Sequence, residues 1–330
     1  NTPRLDYSTG AEAFLLEPQR TNLITYSNDY ADTSWQKSKT GSAIAPIVTS
    51  NYAISPDGTQ NADRIQFDAT TSGSNSDTSR FRTTITLVDG LDYTISFYAK
   101  SKGVTDQKIG IIFDNSQRSV FTITNEWQRF TKTSTQTGTN SICGLDLRGA
   151  VDSTSDILVY GIQVEQGSYA TSYIPTTTTT VTRNQELCVD ATPVINSEEG
   201  VLYAEISALV DDAPHRWISL SDATTNNRVN FQYYTGSNEI RVEVRSEGVT
   251  SLNSFIIVTD ITDFIKIGVK WKLNDFAVWI NGVEVATSNT GNAPIGMSTL
   301  SFTHYGQSAN PFFGNTKGLK VYPKALSDVE

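Results

Sequence analysis

The sequence is poor in cysteine, histidine, long apolar runs and positive charge, and each shortage argues against a class of function. Two cysteines in 330 residues, Cys143 and Cys188, give no disulfide framework and cannot make a zinc site without help. The only two histidines, His215 and His304, are far from either cysteine in sequence. Cys143 alternates in phase with Leu145 and Leu147, the pattern of a small core residue. No apolar run approaches the roughly 20 residues of a membrane-spanning helix, so no membrane insertion is expected. Lys and Arg total 25 against 35 Asp and Glu, a formal net charge of −10, which argues against a nucleic-acid or anionic-membrane partner. A Gly-rich phosphate loop, a metalloprotease motif and an amphipathic helix pattern are missing as well.

What remains is enough for a large fold. With 38% hydrophobic and 10% aromatic residues, a chain of this length can bury sizeable cores without staples. Short alternating segments recur throughout: Ile65 and Phe67; Tyr93, Ile95, Phe97 and Ala99; Ile109, Ile111 and Phe113; Phe121 and Ile123; Leu145 and Leu147. Turn signals separate them at Pro56-Asp57-Gly58, Asp89-Gly90 and Asp114-Asn115, with an earlier Ser-Thr-Gly turn over residues 8–10. The segment 157–166 reads as a strand with Leu158, Tyr160, Ile162 and Val164 on one face and Val159, Gly161, Gln163 and Glu165 on the other. Pro175 and the threonines Thr176 to Thr180 follow, extended and without apolar residues, as befits an inter-domain connector. Beyond it a hairpin is expected to pair Val229-Phe231-Tyr233 with Ile240-Val242-Val244. A second is expected to pair Ile265-Ile267-Val269-Trp271-Leu273 with Phe276-Val278-Ile280, followed by Val283 and Val285. The pattern predicts an all-β chain of two consecutive antiparallel β-sandwiches: a lead-in over 1–20, a first sandwich over 21–175, a connector over 176–185 and a second sandwich over 186–330. Because it opens on Asn1, the chain is read as part of a longer polypeptide.

Several stretches carry a resemblance. Pro3-Arg4-Leu5-Asp6-Tyr7, then the run from Phe14 through Glu17-Pro18-Gln19-Arg20-Thr21-Asn22-Leu23, resemble a signature of bacteriophage tail-fibre and other virion surface proteins. So do Tyr26-Ser27 leading to Trp35, and the run from Gly161 through Gln166-Gly167 to Ser172-Tyr173-Ile174-Pro175-Thr176. That resemblance implies a jelly-roll related to carbohydrate-binding modules. Residues from Phe276 through Trp279 to Val283, then Phe313-Gly314 and Leu319 through Tyr322 to Asp328-Val329-Glu330, resemble laminin-G-like (concanavalin-type) sandwiches. Together they imply a non-enzymatic fibre module of the tail or head on the virion surface, assembled in the host cytoplasm. They imply bacterial surface polysaccharide and other virion proteins as partners, and a homo-oligomer, a trimer, as the assembly. A decoration or connector protein of the virion is the alternative, and a glycan depolymerase the third.

The residues leave little room for catalysis. A retaining glycosidase needs two carboxyls about 5–5.5 Å apart. Glu239, Glu243 and Glu247 are spaced four residues apart, roughly 13 Å along a strand, and with Arg241 and Arg245 between them read as a solvated charge ladder. Binding leaves clearer traces, because sugars offer apolar C–H faces that stack on exposed rings beside polar groups. Trp279 is out of phase with Phe276, Val278 and Ile280, and Tyr234 is out of phase with Phe231 and Tyr233. If their strands share a sheet, Trp279, Tyr234, Gln232 and Arg241 make an outward platform. Tyr98, opposite Phe97, is expected to face a concave sheet with Arg82, whereas Trp271, Trp35 and Trp127 read as packing residues. The resemblance also raises a structural Ca2+ ion with Asn22 and Glu165 as ligands. The competing reading places Glu17, Arg20 and Asn22 in a polar cluster tying the lead-in to the first sandwich.

Overall fold

The computed structural model describes all residues except 1–3, 8–9, 71–72, 114–116, 190, 306–308 and 328–330. Pro3, the Asp328-Val329-Glu330 ending and the turns expected at Ser8-Thr9 and Asp114-Asn115 therefore lie outside the described residues. Every regular element among the described residues is a strand. In chain order these are β1 (Arg4–Asp6), β2 (Ala13–Leu16), β3 (Arg20–Asn22), β4 (Gln36–Thr40), β5 (Ile44–Ala53), β6 (Ala62–Asp68), β7 (Thr78–Thr86) and β8 (Asp92–Ser101). They continue as β9 (Gln107–Phe113), β10 (Gln117–Ile123), β11 (Gln128–Thr135), β12 (Asn140–Arg148), β13 (Thr154–Gln166), β14 (Val181–Arg183), β15 (Glu199–Ala208) and β16 (Arg216–Ser221). The last are β17 (Arg228–Tyr233), β18 (Glu239–Ser246), β19 (Val249–Ile257), β20 (Ile265–Lys272), β21 (Phe276–Ile280), β22 (Val283–Ser288), β23 (Thr299–Ser301) and β24 (Gly314–Tyr322). All strand pairs within the sheets are antiparallel.

The chain divides into two compact units, and the division cuts across the sequence order. One unit is Gln19–Asn184; the other joins Asn1–Pro18 to Gln185–Glu330. The first is an inserted sandwich, the second a split one.

The inserted sandwich has two five-stranded sheets, β10-β9-β12-β7-β4 and β11-β8-β13-β6-β5. Alternation supplies its core: Phe81, Ile109, Ile111, Phe113, Cys143, Leu145 and Leu147 from one sheet meet Ile65, Phe67, Tyr93, Ile95, Phe97 and Ala99 from the other. Trp35 is buried in this core, stacked on Phe81 with ring centroids 4.6 Å apart. The connector belongs to this unit. Val181–Arg183 pairs with Arg20–Asn22 as a two-stranded ribbon, and the Thr176 hydroxyl donates to the Ile24 carbonyl at 2.6 Å. Extended threonines with no apolar side chain still carry backbone groups that can join a strand.

One expected alternation breaks. In β13, Ile157 and Val159 lie in the core, as do Ile162 and Val164, while Leu158 and Tyr160 take the other face. The register shifts between Tyr160 and Gln163, and Gly161 holds φ +64°. A bulge of this kind adds a residue and moves everything beyond it to the opposite face. Strict alternation across 157–166 was therefore the wrong reading, and the glycine at its centre was the mark of the break.

In the split sandwich a seven-stranded sheet, β1-β2-β24-β15-β20-β21-β22, shares one core with a five-stranded sheet, β19-β18-β17-β16-β23. Trp271, Phe276, Phe231, Phe312 and Tyr233 fill that core, and the Trp271 indole N–H donates to the Asn196 carbonyl at 3.1 Å. Leu273, expected inside, falls in the β20–β21 turn and is 59% exposed. The first residues are not a lead-in to the inserted sandwich. Phe14, Leu15 and Leu16 pair with Thr316, Asn315 and Gly314, and Arg4 closes on Glu17 at 2.5 Å and Glu186 at 2.6 Å. Glu17 is thus committed to Arg4 within the split sandwich, and the expected Glu17–Arg20–Asn22 cluster does not form.

Candidate functional site

The split sandwich places Trp279 as its strand phase requires. Phe276, Val278 and Ile280 are in the core, and the Trp279 ring stands half-buried on the outer face of the seven-stranded sheet. Hydrogen-bonded registers align Lys320 on β24, Tyr203 on β15, Gly268 on β20 and Trp279 on β21 in one row across that sheet. Directly paired residues point to the same face. Gly268 has no side chain, so the row has a gap between Tyr203 and Trp279. Two strand spacings, roughly 9–10 Å, separate the strands that carry those rings. The gap is the floor of a cleft of about 430 Å³ whose walls include Tyr203, Lys266, Trp279, Lys320 and Tyr322. This lies within the roughly 300–1,000 Å³ typical of small-molecule sites.

The cleft combines apolar ring surface with hydrogen-bonding groups. The Lys270 ammonium sits 5.5 Å from the Trp279 ring centroid and pairs with Asp275 at 2.8 Å, fixing the indole from one side. Burial, and then the neighbouring Glu205 carboxylate, raises the Tyr203 pKa above its ordinary value. Its phenol stays protonated at neutral pH. Lys266 and Lys320 are exposed at the rim. Tyr203, Tyr322 and Gly268 were not singled out in the sequence. The signal available was a glycine inside a strand-like run, which marks a close approach or a gap.

Trp279 and its expected companions do not come together. Tyr234, Gln232 and Arg241 belong to the β17–β18 region of the other sheet, whose outer face is on the far side of the core. There Arg241 lies over two rings, 5.6 Å from the Tyr234 centroid and 5.4 Å from that of Phe255. Tyr234 also meets His215 edge-on at 4.7 Å. Gln232 is 1% exposed, with both amide atoms unpartnered, so it presents nothing to solvent. Nor is the acidic series a solvated ladder. Glu243 is buried and pairs with Arg228 at 2.6 Å and Arg241 at 3.4 Å, whereas Glu247 lies in a turn with φ +51°.

In the inserted sandwich Tyr98 and Arg82 likewise fall on different sheets. Tyr98 stands on β8 with Tyr160 at 6.1 Å, and Tyr160 meets Tyr173 at 5.2 Å. The Arg129 guanidinium lies over Tyr98 at 5.4 Å and is itself bonded to Ser96 at 2.9 Å and the Thr171 carbonyl at 2.5 Å. Arg82 stands on β7 of the opposite sheet. Periodicity had named the faces of these residues but not their sheets.

Asn22 and Glu165 are both fully buried, and hydrogen-bond donors already occupy their oxygens. Asn22 Oδ1 accepts from the Ile24 and Val164 amides at 3.1 and 3.2 Å. Glu165 accepts from Gln163 at 2.8 Å and from the Thr171 amide and hydroxyl at 2.7 and 2.6 Å, with Arg20 at 3.7 Å. A calcium site needs six or more oxygens with lone pairs free; this arrangement supplies N–H and O–H groups instead. Among the described residues no cluster of three or more His, Cys, Asp or Glu side chains is placed to hold a metal.

Fold and site define an all-β protein of two sandwiches. No protein-family profile matches the sequence, and no curated protein matches it. Among solved structures, the chain is similar to a CBM40 module of the Ruminococcus gnavus IT-sialidase bound to α2,3-sialyllactose. That likeness covers 41% of this chain and 80% of the module at 15% identity, with a TM-score of 0.35. It is also similar to domains LG4-5 of the mouse laminin α1 chain, over 74% of this chain and 88% of that one at 7% identity (TM-score 0.31). A native heptameric SAP-like pentraxin from Limulus polyphemus matches over 73% and 81% at 12% identity (TM-score 0.31). Likenesses this distant carry no function across.

Proposed function

We propose that the chain is a non-enzymatic glycan-binding module, part of a virion fibre that attaches to bacterial surface polysaccharide. The observation that carries the glycan reading is the Trp279–Gly268–Tyr203 row: two rings flank an empty floor on an outward sheet face, with lysines at the rim. A sugar stacks its C–H face on such a ring while its hydroxyls bond to the phenol and ammonium groups. The virion setting rests on the motif resemblance in residues 3–183, and an oligomeric fibre would multiply a weak single site by avidity.

Gly268→Val tests the cleft directly. The position is in a strand, where a β-branched residue is tolerated, and a Cβ there meets only Trp279 atoms at 3.8 Å. The added methyls fill the floor between the rings. The variant is expected to melt like the parent and to lose neutral-sugar binding on a glycan array; retained neutral-sugar binding would place that glycan elsewhere.

A further inference from the structure

The outer face of the β10-β9-β12-β7-β4 sheet carries a charge opposite to that of the whole chain. Its registers align Ser38, Arg80, Asp146 and Gly110 in one row, and Gln36, Arg82, Gly144, Ile112 and Arg118 in the next. Arg148 follows two residues beyond Asp146 on β12. Asp146 is fully buried and already engaged: Arg118 Nε donates to Oδ1 at 2.7 Å and Arg148 Nε to Oδ2 at 3.0 Å. No ion pair or hydrogen bond to the Arg80 or Arg82 guanidinium is present among the described residues, and Arg82 Nε is buried without a partner. Four guanidinium groups therefore face one carboxylate, on a chain of net charge −10.

Such crowding is costly by itself. Burial, then repulsion from Arg82, lowers the Arg80 pKa. Glycine at 110 lets the Asp146 carboxylate and the Arg118 guanidinium lie directly over the strand, where a Cβ would collide with both. The Arg80 and Arg82 forks stand beside this packed Asp146 cluster, not committed to the protein.

We infer that this face binds oxyanion groups of an acidic polysaccharide, with Arg80 and Arg82 as the ligand-facing forks. A guanidinium matches a carboxylate, phosphate or sulfate bidentately, and an anion held there offsets the repulsion among the four cations. Asp146 is a positioning residue, holding Arg118 and Arg148 beside Arg80 and Arg82. The polymer source of the anion rests on the glycan reading above; the anion site itself is independent of the Trp279 cleft.

The intact chain is titrated calorimetrically with hexagalacturonate, with maltohexaose as a neutral probe and with inorganic phosphate. The comparison is between the parent, Arg80→Gln/Arg82→Gln and Trp279→Ala. Hexagalacturonate is expected to bind, to weaken with ionic strength, and to lose at least tenfold in affinity in the double glutamine variant. The unliganded double variant is expected to melt no lower than the parent, because like-charge repulsion is relieved. Binding of hexagalacturonate that survives the double variant, or its absence in the parent, overturns the inference. A lower melting temperature in the unliganded double variant also overturns it, since the arginines would then be structural. Phosphate binding as tight as hexagalacturonate would show that a free anion suffices and overturn the polysaccharide assignment. Loss of maltohexaose binding alone, in Trp279→Ala, would bear only on the cleft.

Discussion

At the scale of single residues, Asp63 shows how a buried carboxylate shapes pH dependence. It is 1% exposed and accepts from the Asn51 amide at 2.8 Å and the Tyr30 amide at 3.2 Å. Burial outweighs those bonds and raises its pKa to about 6. The folded state therefore holds this proton more tightly than the unfolded chain does. Ionisation at neutral pH weakens the fold, and stability is regained as pH falls through about 6 toward the ordinary carboxylate range. The melting temperature should rise between pH 7 and pH 5, and Asp63→Asn should flatten that slope; an unchanged slope in the variant would contradict the assignment. Asn22 and Glu165 give a second expectation. Because donors occupy their oxygens, a chelator should leave the melting curve of the intact chain unmoved, and a drop reversed by added calcium would contradict this account.

At the scale of elements, Gly161 sets which side chains β13 sends to the core. Its φ of +64° lies where L-residues are strained, and an added Cβ would press on the Tyr173 ring at 3.2 Å. Gly161→Ala should cost roughly 1–3 kcal/mol, read as a lower urea midpoint; parental stability would contradict the bulge. The same strand shows what could be read from sequence and what could not. Period-two patterning correctly placed Phe97, Ile111, Leu145, Val242 and Val278 in cores, because one buried face leaves a mark in the residues themselves. It failed at the bulge, which shifts phase by one residue. It failed again on neighbours: Trp279 was correctly turned outward, but its row partners Tyr203 and Lys320 come from strands more than 40 residues away on either side. Hydrogen-bond register, and not periodicity, decides such partners.

At the scale of the molecule, the chain starts a sheet, leaves it for a whole sandwich and returns. β2 pairs with β24 and β1 closes the sheet edge beyond it, and Arg4 links Glu17 to Glu186. Nothing in the residues before Pro18 announces a partner some 300 positions later, which is why this pairing escaped the sequence reading. A fragment of residues 185–330 should melt lower than the same unit with its N-terminal strands, and a peptide of residues 4–18 added in trans should raise it again. No effect of the peptide would contradict the split sandwich. Glycan attachment is the central claim, and Trp279→Ala tests it most directly. Because Val278 and Ile280 already supply the core face, removing the outward indole should leave the melting temperature within a few degrees, whereas a core tryptophan would cost roughly 3–5 kcal/mol. Measured on a bacterial-glycan array beside the parent, the account predicts a stably folded variant that has lost the parent's neutral-sugar signals. A stable variant with those signals intact would contradict it.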